Sequence, residues 1–165
     1  MIEFVLKDRK LRLYPDGTFR CRSIMKGVET KTETWRIIKF RITSGYLSCC
    51  LNIDGKSRPF LQHRLLHLAH NPSWDIFDSS KDNCIDHENH TRTDNSNENL
   101  RVVTTQQNNF NRSNVKGYSW DKSRKKWKAY IKLNGKSIHL GMFTKEEDAR
   151  AAYLKAKEEL HIMPN

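Results

Sequence analysis

Three polar positions at fixed distances along the chain set the strongest constraint on its fold. Asp86 and His87 are consecutive, Asn99 lies 13 residues beyond Asp86, and Asn108 lies 22 residues beyond it. These spacings allow a short strand, a long loop, a second strand and a helix to fold back so that an Asp, a His and an Asn converge on one small volume. Consecutive side chains of a regular strand point to opposite sides, so a shared site requires a local twist or a strand end.

The residue types in this pattern suit hydrolysis of a phosphodiester with one divalent cation. Asp86 and Asn108 carry hard oxygen atoms, which are the ligands that Mg²⁺ or Mn²⁺ prefers. The unperturbed pKa of an imidazole lies near neutrality, so the His87 side chain is of a type that suits a base taking a proton from an attacking water. The pattern therefore predicts one cation in each active site, bound by Asp86 and Asn108 beside His87.

The same region resembles the HNH endonucleases of the phage and intron homing type, over residues 35 to 112. The resemblance implies a ββα-metal fold with one catalytic cation. It also implies that His87 is the general base, that Asp86 and Asn108 are the metal ligands, and that Asn99 holds the loop between the two strands. The matching stretches are Ile85-Asp86-His87, Asp94-Asn95, residues 98–104 and Gln107-Asn108, with a lead-in at residues 45–47, 52–56, 63–66 and 71–72.

Two features of this region have other interpretations. The family commonly has Asp-Gly after its His, whereas this chain has Glu88-Asn89-His90. His63, His67 and His70 fall at i, i+4 and i+7, which places them on one face of a helix and imitates a metal site. No carboxylate accompanies these three residues, so packing or contact with phosphate is the better interpretation.

The charge distribution indicates a polyanionic partner. The chain has a net charge of +11. Residues 1–75 carry 14 Lys and Arg against 7 Asp and Glu, residues 76–111 carry 3 against 6, and residues 112–165 carry 13 against 6. Basic flanks around an acidic centre are expected if the flanks bind phosphates and the centre binds a cation.

The C-terminal third predicts a three-stranded antiparallel sheet with one helix on its back. Residues 126–133 alternate between apolar and polar side chains, and Asn134-Gly135 is typical of a tight hairpin turn. Thr144 is predicted to cap the following helix, with Glu147 at the capping-box position.

This segment resembles the DNA-binding domain of the plant Apetala and ethylene-response-factor type, over residues 116 to 160. The matching stretches are Gly117, residues 126–131, Gly135-Lys136, residues 140–144 and residues 146–153. The resemblance implies that a sheet face enters the major groove of double-stranded DNA. Ser119 and Asp121 stand where plant members use Arg, so the plant base preference is not carried over. The predicted DNA contacts are Trp120, Lys122, Arg124, Lys128, Tyr130, Lys132, Lys136 and His139.

The N-terminal part predicts a β-hairpin around Pro15-Asp16-Gly17, with outward Arg12, Arg20 and Arg22. This hairpin is either an accessory DNA contact or a soluble edge of the nuclease domain. The predicted organisation is an N-terminal hairpin region (1–34), an HNH nuclease domain (35–111), a linker (112–116) and a DNA-binding domain (117–165). The predicted fold class is α+β, with a ββα-metal nuclease domain followed by a three-stranded antiparallel sheet packed on one helix.

The cysteines and the hydropathy pattern predict an intracellular protein, and the resemblance to the homing endonucleases implies access to DNA and an origin in a phage or mobile element. Cys21, Cys49, Cys50 and Cys84 lack the paired spacings of zinc sites, and adjacent cysteines do not favour a disulfide framework. No apolar run is long enough for a membrane span, and no membrane partner is expected.

Three classes of function fit these observations. The first is a metal-dependent DNA endonuclease of the homing or mobile-element type. The second is a sequence-specific DNA-binding regulator with an inactive nuclease centre, and the third is a structural nucleic-acid-binding protein. The intact Asp86, His87 and Asn108 favour the first class over the second. A single active centre is expected to nick duplex DNA as a monomer, or to cut both strands as a homodimer.

Overall fold

The computed structural model describes residues 1–25, 28–29, 34–112 and 115–163. Residues 113 and 114, inside the predicted linker, lie outside the described part, as do residues 26, 27 and 30–33 of the predicted hairpin region. The strands are β1 (Ile2–Leu6), β2 (Arg9–Leu13), β3 (Phe19–Arg22), β4 (Ile24–Met25), β5 (Val28–Glu29), β6 (Trp35–Ile37), β7 (Arg41–Thr43), β8 (Tyr46–Ile53), β9 (Lys56–Leu61), β10 (Cys84–His87), β11 (Leu100–Val103), β12 (Tyr118–Asp121), β13 (Lys126–Leu133) and β14 (Lys136–Phe143). The helices are α1 (Gln62–His70), α2 (Thr105–Phe110) and α3 (Glu146–Leu160), with a 3₁₀ turn at Asn97–Asn99.

The predicted α+β fold class, with a ββα-metal nuclease domain, is wrong. The structure is built mostly of antiparallel sheets, with 41% of its residues in strands, 22% in helices and three α-helices. The first helix, α1, begins only after nine strands. Short hairpins with left-handed residues at their turns, such as Lys7, Ser44 and Asp54, add strand upon strand in the N-terminal half. A sequence prediction based on residues 84–110 does not register that contribution.

The chain divides into two compact units. The first contains residues 1–79 and 87–101, and the second contains residues 80–86 and 102–165. The boundary therefore falls within β10, between Asp86 and His87, and within β11, between Arg101 and Val102. The domain boundaries predicted at residues 34, 111 and 116 stay predictions.

The first unit contains a four-stranded and a three-stranded sheet around one core. The strand orders are β1-β2-β3-β6 and β7-β8-β9. Alternate residues of the strands point inward, so that Leu11, Phe19 and Ile53 are almost fully buried. Helix α1 adds Leu65 to the same cluster. The two-stranded sheet β10-β11 carries the loop of residues 88–99 between its strands.

The second unit contains the sheet β12-β13-β14, and α3 packs on one face of it. Ala129 and Ile131 from β13 meet Tyr153 and Ala156 from α3 as a small buried cluster. The predicted Thr144 cap is wrong: α3 has Lys145 as its N-cap, without a side-chain capping bond. Glu146, Glu147 and Asp148 stabilise this end instead through the helix dipole.

A short capping box begins α2. The Thr104 hydroxyl accepts a hydrogen bond from the Gln107 amide, and the Gln107 side chain accepts one from the Thr104 amide. This arrangement fixes the first turn of a six-residue helix that has little intrinsic stability. Among the described residues, no helix is both long enough and apolar enough to cross a membrane.

We expect Gly117→Ala to destabilise the second unit. Gly117 has a φ of +70°, and a Cβ at this position would overlap the ring of Tyr153. The left-handed backbone and the overlap together should lower the free energy of unfolding by about 2 kcal/mol or more. The control is Gly135→Ala, at a φ of +75° with open space around the added methyl group, which should cost about 1 kcal/mol. Urea denaturation of both variants measures the difference, and equal losses would contradict the contact with Tyr153.

Candidate active site and nucleic-acid interface

The side chain of Asn99 holds the loop between β10 and β11. Asn99 Oδ1 accepts a hydrogen bond from the Asn89 amide at 2.9 Å, and Asn99 Nδ2 donates to the Asp94 carbonyl at 2.7 Å. Beside it, the Glu88 amide donates to the Asn99 carbonyl at 3.0 Å. Asn99 is buried, so these bonds satisfy both ends of its amide and join the start, the middle and the end of the loop.

Asp94 organises the turn inside this loop. Its carboxylate accepts hydrogen bonds from the amide and the hydroxyl of Ser96 and from Asn89 Nδ2. The bond from the Ser96 hydroxyl is the main reason why the pKa of the Asp94 carboxyl is lowered. His90, in the part of the loop where the sequence differs from the HNH pattern, is exposed and has a φ of +63°. Its backbone therefore forms a turn.

His87 is buried and oriented by a chain of two side-chain amides. Asn95 Nδ2 donates to Gln62 Oε1 at 2.8 Å, which turns Asn95 Oδ1 toward the imidazole. His87 Nε2 lies 2.9 Å from that oxygen. Because an amide oxygen only accepts, Nε2 carries a proton in this bond. A neutral His87 therefore holds its basic lone pair on Nδ1.

An aromatic cluster surrounds the imidazole of His87 in the first unit. The His63 ring meets it edge-on with 4.9 Å between ring centroids, and the Tyr46 ring lies 6.0 Å away. Burial lowers the pKa of His63 to about 3, so this second imidazole is neutral near neutral pH. His63 Nδ1 has no hydrogen-bond partner in the described part of the chain. The contact of His63 is thus with His87, whereas its predicted contact with phosphate stays untested.

Asp86 belongs to the second unit and packs against α2. Asn111 Nδ2 donates to Asp86 Oδ2 at 3.0 Å, and Cys84 Sγ lies 3.5 Å from Thr105 Oγ1. Thr105, Asn108 and Asn111 follow at intervals of three residues, which places them on one helical face. Asn108, the predicted ligand, therefore lies on the face of α2 that meets β10, one turn before Asn111.

The residues around Asp86 and Asn108 have the donor chemistry of a Mg²⁺ or Mn²⁺ site. A carboxylate and side-chain amides are hard oxygen donors. Within residues 1–25, 28–29, 34–112 and 115–163, the structure has no group of three or more His, Cys, Asp or Glu side chains suited to a metal. The predicted site is of a different type, with one carboxylate and an amide oxygen.

Sequence reasoning missed three residues of this region. Asn95 bonds His87 and Asn111 bonds Asp86, whereas Gln62 acts on His87 through Asn95. The spacing of Asn111 from Asn108, one helical turn, was a signal that could have identified it. Gln62 gave no signal, because it begins α1 far upstream in the sequence.

The sheet register divides the predicted DNA contacts of the second unit between two faces. Lys128, Tyr130, Lys132 and His139 share the face opposite α3, since Tyr130 pairs with His139 and alternates with the buried Ala129 and Ile131. Trp120 pairs directly with Trp127, on the same side of the sheet as Ala129, and Lys136 pairs with Leu133 on that side. Trp120 nevertheless remains 44% exposed.

Lys122 and Arg124 lie in the turn between β12 and β13. Arg124 forms an ion pair with Asp121 at 3.1 Å. The carboxylate of Asp121 also accepts hydrogen bonds from Ser123, and the bond from the Ser123 hydroxyl is the main reason why its pKa falls to about 2. The turn is therefore a fixed platform for its exposed cations.

A cleft of about 870 Å³ lies in the second unit between α2 and the C-terminal sheet. Thr105, Gln106, Asn109 and Phe110 of α2 line one side, and Tyr130 and Lys132 line the other. Lys81, Arg112 and Lys132 outnumber the one carboxylate, Asp82, around it. The lining residues are Lys81, Asp82, Thr104, Thr105, Gln106, Asn109, Phe110, Arg112, Val115, Gly117, Tyr130, Ile131, Lys132, Asn134, Gly135, Tyr153 and His161.

The N-terminal candidates lie on the four-stranded sheet of the first unit. Arg12 pairs with Arg20 across β2 and β3, and Arg22 lies two residues further along β3, on the same face as Arg20.

The chain matches no protein-family model, and neither the curated proteins nor the solved structures include a match.

We expect Asn99→Ala to lower the thermal stability of the protein. The substitution leaves the Asn89 amide and the Asp94 carbonyl without their partner, and each buried unsatisfied group costs about 1–3 kcal/mol. Asn97→Ala is the matched control, because Asn97 is an exposed residue of the same loop. Thermal unfolding followed by circular dichroism compares the two variants. Equal melting temperatures would show that the Asn99 amide does not hold the loop.

Proposed function

We propose that the chain is a divalent-metal-dependent DNA endonuclease that hydrolyses one phosphodiester bond in each binding event. The observation that carries the proposal is the Gln62–Asn95–His87 chain of hydrogen bonds. Two half-buried side-chain amides thereby fix the orientation of one buried imidazole. Such support is expected of a base whose nitrogen must meet a proton at a set position.

His87 acts as the general base in this proposal. With Nε2 donating to Asn95, Nδ1 is the atom that takes the proton from the attacking water. The edge of His63 and the ring of Tyr46 keep the imidazole from rotating. His63 stays neutral at working pH and so adds no positive charge that would make His87 a weaker base.

Asp86 and Asn108 would hold the cation, with Asn111 positioning the Asp86 carboxylate. When bound, the cation would neutralise negative charge on the phosphate and on the leaving oxygen. Asp86 and His87 are the last two residues of β10, and a shared site requires the strand end to turn both side chains toward the same side. A neutral amide beside a carboxylate leaves the net charge needed to attract a divalent cation.

The second unit supplies the grip on double-stranded DNA in this proposal. Lys128, Tyr130, Lys132 and His139 form a polar and cationic face that suits contact with phosphates and base edges. The cleft continues from Lys132 to α2, the helix that also carries Asn108. A DNA strand on the sheet is thereby led toward the helix that holds the cation ligand.

We expect His87→Ala to abolish nicking of supercoiled plasmid in Mg²⁺ or Mn²⁺ while binding of duplex DNA is retained. Loss of a general base lowers the rate by about 10²–10⁴, whereas the proposed grip lies elsewhere. The control is His90→Ala, which removes an exposed imidazole from the same loop. Gel separation of nicked from linear product gives the rate, and a band-shift titration gives the affinity.

Several outcomes would count against the endonuclease. If His87→Ala lowers cutting and binding equally, His87 is a structural residue. If the parent binds duplex DNA without cutting it in either metal, the chain is a DNA-binding regulator with an inactive centre. If Asp86→Ala has the same metal titration as the parent, Asp86 is not a ligand of the cation.

We also expect Lys132→Gln to flatten the salt dependence of duplex binding. The slope of log affinity against log salt changes by about 0.9 for each phosphate that loses its cation. Lys155→Gln is the matched control, because Lys155 is exposed on α3 and makes the same change in net charge. Equal slopes for the two variants, measured by fluorescence anisotropy, would exclude Lys132 from the contact.

A further inference from the structure

The outer face of the four-stranded N-terminal sheet is the strongest unassigned surface of the first unit. Phe4, Leu11 and Phe19 point into the core from β1, β2 and β3. Their neighbours in each strand therefore point outward. The register aligns Glu3, Arg12, Arg20 and Ile37 in one row across the sheet, and Val5, Lys10, Arg22 and Trp35 in the next.

Two arginines on this face lie over aromatic rings. The Arg12 guanidinium carbon is 3.8 Å from the centre of the Trp35 ring, and that of Arg20 is 4.9 Å from the centre of the Tyr14 ring. Each pair brings a guanidinium within cation–π distance of an aromatic ring. Planar guanidinium groups and aromatic rings are the surfaces on which unpaired bases stack.

Two exposed aliphatic side chains accompany the cations. Val5 is 58% exposed and Ile37 is 59% exposed, at opposite edges of the sheet. Contact with phosphates alone would gain nothing from these side chains, whereas unpaired bases have apolar faces that bury them.

The width of the sheet also argues against flat entry into a duplex groove. Four strands at about 4.8 Å spacing span about 14 Å before side chains are added, and the major groove is about 12 Å wide. A single strand laid across the sheet meets no such limit. Glu3, the one carboxylate in the two rows, already accepts a hydrogen bond from Arg12 at 2.8 Å, so the rows offer no spare carboxylate to a ribose hydroxyl.

We propose that this face binds single-stranded DNA, as a site separate from the duplex grip of the second unit. Bases stack on the Arg12–Trp35 and Arg20–Tyr14 pairs and cover Ile37 and Val5, while Lys10 and Arg20 contact phosphates. Arg20 Nε and Trp35 Nε1 have no acceptor in the described part of the chain. The site does not depend on phosphodiester cleavage.

The test is fluorescence anisotropy of the full chain with a labelled oligodeoxythymidine, beside a duplex of equal length. Ile37→Ser should weaken binding of the single strand about fivefold or more, the effect of losing one stacking contact. Arg20→Gln should flatten the salt slope by about 0.7, the value for one phosphate on a single strand. Neither change should alter duplex binding. Arg41→Gln is the control, because Arg41 is an exposed residue of β7 in the same unit and makes the same change in net charge.

The proposal is overturned if Arg41→Gln weakens binding of the single strand as much as Arg20→Gln does. It is also overturned if Ile37→Ser leaves the affinity for the single strand unchanged. The same holds if Ile37→Ser and Arg20→Gln weaken duplex binding as much as they weaken binding of the single strand. Tighter binding of an oligouridine than of the oligodeoxythymidine would assign the face to RNA instead. Because Ile37 is at the surface, Ile37→Ser should remain folded, and an unchanged melting curve verifies this. Since affinity is the readout, an inactive nuclease would leave these results interpretable.

Discussion

The amide of Asn99 is the interaction on which the candidate site depends. Its two hydrogen bonds tie together a loop that otherwise has mostly exposed polar residues and little apolar surface to bury. Asn95, which orients His87, is a member of that loop. The position of the His87 imidazole therefore depends on Asn99, whose side chain bonds Asn89 and Asp94 and not the imidazole itself. Polar bonds replace the hydrophobic core that a loop of this length cannot provide.

The hairpins were the most predictable part of the fold. Asn134-Gly135 and Pro15-Asp16-Gly17 are turns whose backbone demands particular residues, and β13–β14 and β2–β3 pair across them. The fold class was not predicted from the same signals, because the nine strands before α1 lie outside residues 84–110, on which the ββα-metal prediction rested. The cap of α3 was also misplaced, since Thr144 and Lys145 both precede the acidic first turn and only geometry distinguishes them.

Within the candidate site, local contacts were predictable and distant ones were not. The spacing of His87 and Asn99 identified two residues that share one loop, and their surroundings follow from short-range hydrogen bonds. Gln62 reaches Asn95 over 33 residues, and His63 reaches His87 over a similar separation. Such contacts arise from how α1 packs in the first unit, which no periodicity in the sequence encodes. The catalytic, metal-binding and DNA-binding roles stay predictions.

The burial of His63 gives the fold a dependence on acidity. In the unfolded chain this imidazole has its ordinary pKa of about 6.5, whereas burial lowers the folded pKa to about 3. Between these values the unfolded state holds a proton that the folded state releases, so the stability contributed by neutral burial is present above pH 6.5 and is lost as the pH falls toward 3. Acidic surroundings would thus weaken the packing of His63 against His87, so the imidazole of the proposed base depends on the protonation of a neighbour that takes no part in the chemistry.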